Sequence, residues 1–562
     1  MLKRMGFLMG VGLTLVYVRG LMLDVMDVDA SQYAAMSLEL LKSDNWLHFY
    51  YRGAEYLDKP PLLFWLSAIS FKLFGVSNWA YKLPSLLAAL WGAYATYRFA
   101  RLYYAERVAA HSAWMLVACL GLVVICNDVR TDTMLLGFTA AACWMLAEYV
   151  ERRQMGWLLG AFAQIGLAML AKGPIGLVAP AFALGAHLLL RRDWGMLFNL
   201  RWALGLAVTA LLLAPMCWGL YTQFDLHPEK VVNERTGVSG LRFYFWEQSF
   251  GRVTGENIWK NDAGPFYFAH VILWAFLPWS VLLPPALWVR VRDLWKLRLR
   301  LPAGAEGFSI GGFLLTFAAL SQSQYKLPHY IFIVLPWAAI LTAAWIEGAL
   351  QKRARVWAWA LLQISLVLLT TLGAAALFWI FPSPSWPAAA LWALAVGLWI
   401  AYSLRRGAAS DSERFVTVGA LGALACFFVL NFHFYARLLP YQNSSAAAQY
   451  AYKRGIADRL AIYNHQGNAM DFYARRIVPM DSDPESLIKR AQAQGGVWVY
   501  GDAQCKEALE AAGAQIVEIV PFKHFQAALL TLPFLNPRTR ESALRERFLI
   551  HIAPPEMRQT DF

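Results

Sequence analysis

About thirteen apolar stretches, each near the roughly 20 residues that a helix needs to cross a bilayer core, leave this chain few ways to fold. They run over 5–23, 80–103, 108–126, 131–149, 155–172, 173–191, 202–222, 266–289, 306–321, 328–348, 356–380, 387–405 and 414–434. Backbone in lipid must satisfy its own hydrogen bonds, so the chain reads as an all-α polytopic membrane protein. A hydrophobic content of 59% with 25 Trp in 562 residues agrees with that reading. The pair flanking Lys172-Gly173-Pro174 reads either as two spans or as one broken helix, and 306–321 is short. Two further segments, 31–42 and 61–75, are too short to cross and read as helices in the outer interface.

Short loops rich in Lys and Arg resist translocation and so set orientation. With the N-terminus and its Lys3 and Arg4 inside, alternate loops hold Arg107, Arg152-Arg153, Arg191-Arg192, the run from Arg290 to Arg300, Lys352-Arg353-Arg355 and Arg405-Arg406. All fall on one side, which puts the C-terminus outside. The net charge of +13 is therefore mainly a topology signal, and no aromatic–basic module for nucleic acid accompanies it. Cys119, Cys126, Cys143, Cys217 and Cys426 lie in or at the ends of spans, leaving Cys505 alone in the tail. No disulfide framework is expected. The first apolar stretch lacks a clear small-residue cleavage site and reads as an uncleaved helix.

After about residue 440 the composition changes. Short β-type runs at 460–463, 496–500, 515–520 and 548–552 alternate with helical stretches at 484–493 and 504–512. The expected organisation is a membrane domain over 1–440, with external loops 24–79 and 223–265, followed by a small external α/β domain over 441–562.

The outer loops collect nearly every unusual charge: Asp29, Asp58 and Lys59 in the first, Asp128, Arg130 and Asp132 in the second, Arg235, Arg242, Glu247 and Arg252 in the fourth, and Lys326 with His329 in the fifth. Loops are polar by default, so each residue alone is equally well a solvated loop charge. Taken together, cations and carboxylates from separate loops suit a cleft that binds a phosphate and handles a proton.

The elements Asp29-Ala30-Ser31-Gln32-Tyr33-Ala34 and Tyr56-Leu57-Asp58-Lys59-Pro60-Pro61-Leu62-Leu63-Phe64-Trp65 resemble the first external loop of a known superfamily. It comprises the aminoarabinose (4-amino-4-deoxy-L-arabinose) lipid A transferases and the protein O-mannosyltransferases, integral membrane glycosyltransferases of the C-type fold. Arg130-Thr131-Asp132, Ala171-Lys172-Gly173-Pro174, the stretch from Arg252 to Tyr267, and Lys326-Leu327-Pro328-His329-Tyr330 follow in the same order. The chain departs from the family pattern at Ala30, where a Glu is common, and at Asp58, where the family often has Glu.

The resemblance implies transfer of a sugar from a polyprenyl phosphate to an acceptor at the outer side of the bacterial inner membrane, most simply aminoarabinose to lipid A. It implies Asp29 as the catalytic carboxylate, Lys59, Arg252 and Lys326 on the phosphate, Arg476 as a further phosphate ligand from the tail, and Asp132 near the sugar. Tyr33 and His329 complete the substrate contacts. Simpler accounts compete: Lys59 marks a turn before two prolines, Lys326 snorkels from a span end, and Asp132 with Arg130 forms a helix-start cap and salt bridge.

No cofactor is expected to be required, although Asp58 and His270 form a thin zinc-like pair. The expected partners are the polyprenyl phosphate-linked donor, lipid A or another external acceptor, and membrane lipids, with the protein itself a monomer. A protein or other glycan acceptor remains an alternative within the superfamily. A polyprenyl-linked solute transporter or flippase is the alternative of another class, set against charges that cluster at the outer face rather than the midplane. A non-catalytic scaffold is a third.

Overall fold

The computed structural model describes residues 2–249, 251–254, 261–350, 355–382, 385–404, 411–464, 467–527 and 529–554. The first half is a chain of helices: α1 (Leu2–Met22), α2 (Asp29–Lys42), α3 (Leu62–Phe74), α4 (Asn78–Tyr103), α5 (Glu106–Val117), α6 (Leu120–Asn127), α7 (Thr131–Arg152), α8 (Met155–Lys172) and α9 (Ile175–Arg191). Between α2 and α3 a small hairpin pairs β1 (Tyr50–Tyr51) with β2 (Ala54–Glu55). Helices Trp202–Leu220, Phe308–Ser321, Leu335–Leu350, Arg355–Val367, Trp386–Leu404 and Asp411–Val429 complete the bundle.

Eight helices among the described residues are long and apolar enough to cross a membrane, and α5 with α6, bent by 46°, raises the number to nine. All thirteen apolar stretches are helical, but besides 108–126, which breaks between α5 and α6, one more is not continuous. The expected span 266–289 is two helices, Tyr267–Ala275 and Leu283–Lys296, because Pro278, Pro284 and Pro285 supply no N–H to a regular ladder.

Small residues let these helices approach closely, as lipid-embedded bundles require. Gly92 of α4 and Gly137 of α7 face each other, and a Cβ on Gly137 would sit 2.1 Å from the Ala88 carbonyl oxygen. At the α8–α9 turn, Gly173 takes φ +90°, a conformation that costs glycine little. Pro174 then starts the return.

The bundle has two chemically distinct ends. At one, ion pairs join the basic loops to each other: Arg107 with Glu347 at 3.8 Å, Arg153 with Asp193 at 3.1 Å, Arg191 with Glu151 at 2.6 Å, and Arg290 with Glu306 at 3.6 Å. Tyr103 and Tyr104 donate to Glu151 and Glu306 there. At the other end lie the start of α2, the start of α7 and the α8–α9 turn, because Asp29 pairs with Arg130 and Asp132 with Lys172. Helix α8 therefore runs from the basic end to this one, and α9 runs back to Arg191.

The C-terminal sheet sits at that second end. Its five strands, in the order β4 (Met480–Asp481), β3 (Leu460–Tyr463), β5 (Val497–Gly501), β7 (Arg545–Ile552) and β6 (Ile516–His524), are parallel from β4 through β5 and antiparallel from β5 through β6. Strands β3 and β5 are buried on both faces, while β6 alternates between half-buried and exposed, as an edge strand does. Helices Pro484–Gln494 and Ala503–Ala511 cover one face.

Candidate active site

Five residues, Asp24 to Val28, lead into α2, and side chains more than 400 positions away hold them. Tyr473 Oη accepts from the Val25 amide at 2.8 Å, Gln442 Oε1 accepts from the Asp27 amide at 2.9 Å, and Asn468 Nδ2 donates to the Val28 carbonyl at 3.3 Å. The Asp27 carboxylate accepts from Ser31 at 2.6 Å and from Ser444 at 3.2 Å. Further along, Arg52 of the hairpin pairs with the buried Asp471, and Tyr51 donates to Asn468 at 2.5 Å. The position of Asp29, first residue of α2, is thus set jointly by the bundle and the sheet unit.

Burial raises the Asp27 carboxyl above its ordinary value, partly offset by the Ser31 and Ser444 hydroxyls. A carboxyl raised in the folded state favours folding most while neutral, and that contribution is lost as pH rises through its folded-state value. Asp27→Asn is accordingly expected to raise Tm at pH 7 and to flatten the loss of stability from pH 4 to 7. A melting curve that keeps the parent's slope over that range would rule out Asp27 as its source.

Asp29 itself pairs with Arg130, whose Nε also donates to Asp128 at 2.9 Å. Burial pulls the Arg130 guanidinium down, but Asp128 and Asp29 outweigh it and raise it, so the cation is fixed. Asp29 borders a cavity of about 200 Å³ together with Gln32, Tyr33, Tyr56, Asp58, Lys59, Phe243, Gln248, Tyr325, Leu327 and Tyr330. Burial, reinforced by neighbouring acids, raises the Tyr33 and Tyr56 hydroxyls well above their usual value, which keeps both as proton-bearing donors. Gln248 donates to the Asp58 carbonyl, and Asn233 donates to the Asp58 carboxylate at 3.1 Å.

A second, mostly apolar cavity of about 150 Å³ adjoins the first, lined among others by Leu135, Ile175, Val178 and Leu320. Gln248 and Tyr330 border both. Lys172 stands at this junction: its ammonium lies 3.9 Å from the Tyr330 ring centroid and pairs with Asp132, whose other oxygen is 3.7 Å from His329 Nε2. Tyr244, anchored by a 3.0 Å bond to the Met169 carbonyl, packs beside the same turn.

Of the residues singled out in the sequence, the structure brings Asp29, Tyr33, Asp58 and Lys59 to one cavity, and sets Asp132 and His329 behind the wall it shares with the second. Lys326 is not among the lining residues. Its amine donates to the Ala263 carbonyl at 2.8 Å, and its backbone is bridged to the Asn261 side chain at 3.1 and 2.8 Å. Arg476 borders a different cavity, beside α2 and the hairpin, where it bonds the Asp458 carbonyl. Neither cation lines the cavity that Lys59 borders.

The Arg252 side chain lies outside the described residues. His270 is exposed and does not line the cavity that Asp58 borders. Among the described residues no three His, Cys, Asp or Glu side chains gather as a metal would need. Sequence reasoning missed Arg130 and Lys172 as site residues. The competing account that pairs Arg130 with Asp132 does not hold, since Arg130 pairs with Asp29 and Asp128. A lysine between two apolar stretches was the signal for Lys172.

A helical membrane bundle with this topology and a polar cleft at one end is the fold of the C-type integral membrane glycosyltransferases. The superfamily resemblance seen in the sequence is borne out by independent comparisons. Residues 58–218 match the family model described as dolichyl-phosphate-mannose-protein mannosyltransferase. The undecaprenyl phosphate-α-4-amino-4-deoxy-L-arabinose arabinosyl transferase of Pseudomonas aeruginosa is 28% identical over 326 residues, 57% of this chain and 55% of that protein. That of Edwardsiella ictaluri is 28% identical over 329 residues, with 57% and 55% covered. The matched region is thus about half the length of these relatives.

In three dimensions the crystal structure of ArnT from Cupriavidus metallidurans bound to undecaprenyl phosphate superposes with a TM-score of 0.72 at 21% identity, covering 96% of both chains. The apo oligosaccharyltransferase of Archaeoglobus fulgidus shares the fold more distantly, with a TM-score of 0.51 at 13% identity over 88% of this chain and 69% of that one.

Proposed function

We propose that the protein transfers 4-amino-4-deoxy-L-arabinose from a polyprenyl phosphate to lipid A at the periplasmic face of the inner membrane. The observation that carries this reading is the pair of adjoining cavities, one polar and one apolar, that share Gln248 and Tyr330 with Lys172 at their junction. A donor with an apolar tail, a phosphate and a sugar has the same three parts in the same order. The names of the relatives agree with it.

In the reaction the bond between the anomeric carbon and the carrier phosphate breaks, the phosphate leaves with the electron pair, and an acceptor oxygen bonds to that carbon. Lys59 and Lys172 oppose the charge that grows on the departing phosphate, which is where fixed cations lower the barrier. Asp29 faces the sugar, opposing the cationic character of the ring. Because Arg130 already engages an Asp29 oxygen, the geometry favours an acceptor that arrives ionised, such as a lipid A phosphate, over a hydroxyl that must lose a proton to Asp29.

Thirteen crossings fit the two bundle ends. An odd number carries α1, which starts at the basic end, to Tyr441 beside the sheet, and the positive-inside rule makes the basic end cytoplasmic. Residues 1–440 then form the membrane domain and 441–562 a periplasmic domain, with α2 and α3 in the outer interface. The protein acts as a monomer and requires no cofactor. Purified protein supplied with polyprenyl phosphate-aminoarabinose and lipid A is expected to give aminoarabinosyl-lipid A by mass spectrometry. Transfer only to a hydroxyl acceptor, or from a mannosyl donor alone, would overturn the reading.

A further inference from the structure

Three apolar helical segments end together beside the sheet unit. One finishes at Ile380, the next begins at Trp386, and the third finishes at Tyr441, immediately before the sheet unit. Phe381, Pro382, Ala436, Arg437, Pro440, Tyr441 and Arg540 enclose a cavity of about 520 Å³ there. Among the described residues, no carboxylate lines it. Arg437 is exposed and makes no ion pair among the described residues.

Arg540 is buried, lies 4.3 Å from the Phe381 ring centroid, and donates to the Phe534 and Ile380 carbonyls. These bonds lock the sheet unit onto the helix end. Just beside Phe534, which packs into the aromatic cluster of Phe381, Phe434 and Phe525, the chain turns Leu529, Leu530 and Leu532 outward, at 63%, 42% and 83% exposure. Trp386, 78% exposed, stands at the start of the adjoining membrane helix.

We infer that this cavity holds the phosphate of an anionic phospholipid from the leaflet at the sheet end, and that Leu529, Leu530 and Leu532 dip into the same leaflet beside it. Two guanidiniums in an apolar, proline- and aromatic-walled pocket at the end of membrane helices match a headgroup phosphodiester whose acyl chains run down the bundle. The leucines continue the lipid-facing surface of the neighbouring helices, where Trp386 occupies the usual level of an interfacial tryptophan. Leucines in water would have no comparable partner. Neither Arg437 nor Arg540 lines either of the two adjoining cavities.

The test is native mass spectrometry of the full-length protein released from detergent after equilibration with equal phosphatidylglycerol and phosphatidylcholine, with Tm read in parallel. Phosphatidylglycerol is expected to be retained about fivefold over phosphatidylcholine, the factor that one arginine near a membrane surface contributes. Arg437→Ala should remove that preference, Arg437→Lys should keep part of it, and Leu529→Ser/Leu530→Ser/Leu532→Ser should lower retention of both lipids. Asp29→Asn should change neither, which separates this site from the transfer reaction. Equal retention of the two lipids, an Arg437→Ala protein that still prefers phosphatidylglycerol, or an equal rise in Tm with inorganic phosphate alone would overturn the inference.

Discussion

Replacing Asp132 with alanine is expected to destabilise the protein by about 3–5 kcal/mol, the usual cost of leaving one member of a buried ion pair without its partner. Asp132 is 3% exposed and Lys172 14%, so the stranded ammonium has little access to water. His329 loses its acid at the same time. An apolar double substitution, Asp132→Leu/Lys172→Met, should recover most of that stability, because well-packed apolar groups commonly replace a buried pair without loss. Sugar transfer should stay absent in the double variant, since Lys172 no longer stands at the junction of the two cavities. Thermal unfolding in detergent reads the first effect and product formation the second. A single variant that melts with the parent, or a double variant that transfers normally, would refute the assignment.

The second large effect is on rate alone. Asp29→Asn is expected to lower kcat by about 10²–10⁴, the range for loss of a positioned carboxylate, with Tm unchanged because Asp29 is 37% exposed. Lys59→Ala should lower it by about 10²–10³, as removal of one group that stabilises developing charge does. If Asp29 stabilises the sugar rather than taking a proton, the Asp29→Asn defect will be constant across pH for a phosphate acceptor. Both variants working at more than a third of the parent rate would exclude the cleft as the reaction centre.

The bundle was legible because a hydrophobic stretch of span length has few other fates. The break in 266–289 was carried by its prolines, yet a span bounded by apolar residues hides where those prolines interrupt it. Strands β3, β5, β6 and β7 were visible as β-type runs, whereas the two-residue β4 was too short to show. Asp29 and Lys59 could be paired because both sit in one loop. Lys326 and Arg476 fall outside the lining of that cavity for a different reason: sequence gives the loop but not the direction of the side chain. The Ala263 carbonyl takes one amine and the Asp458 carbonyl takes the other guanidinium, partners that no motif announces. Arg130 and Lys172 were hidden as apparent cap and turn residues, since their roles emerge only when α2, α7 and the α8–α9 turn meet.

Because Gln442, Ser444, Asn468 and Tyr473 supply the bonds that fix residues 24–28, the first acidic loop cannot reach its final shape while the ribosome is still making the chain's later parts. Membrane insertion of the early helices precedes completion of the reactive corner, and contacts of such long sequence separation are the slow ones to form. A nascent or prematurely terminated polypeptide would thus occupy the bilayer without the bonds that fix the segment leading to Asp29, so the assembled cleft belongs only to molecules that carry the later segments.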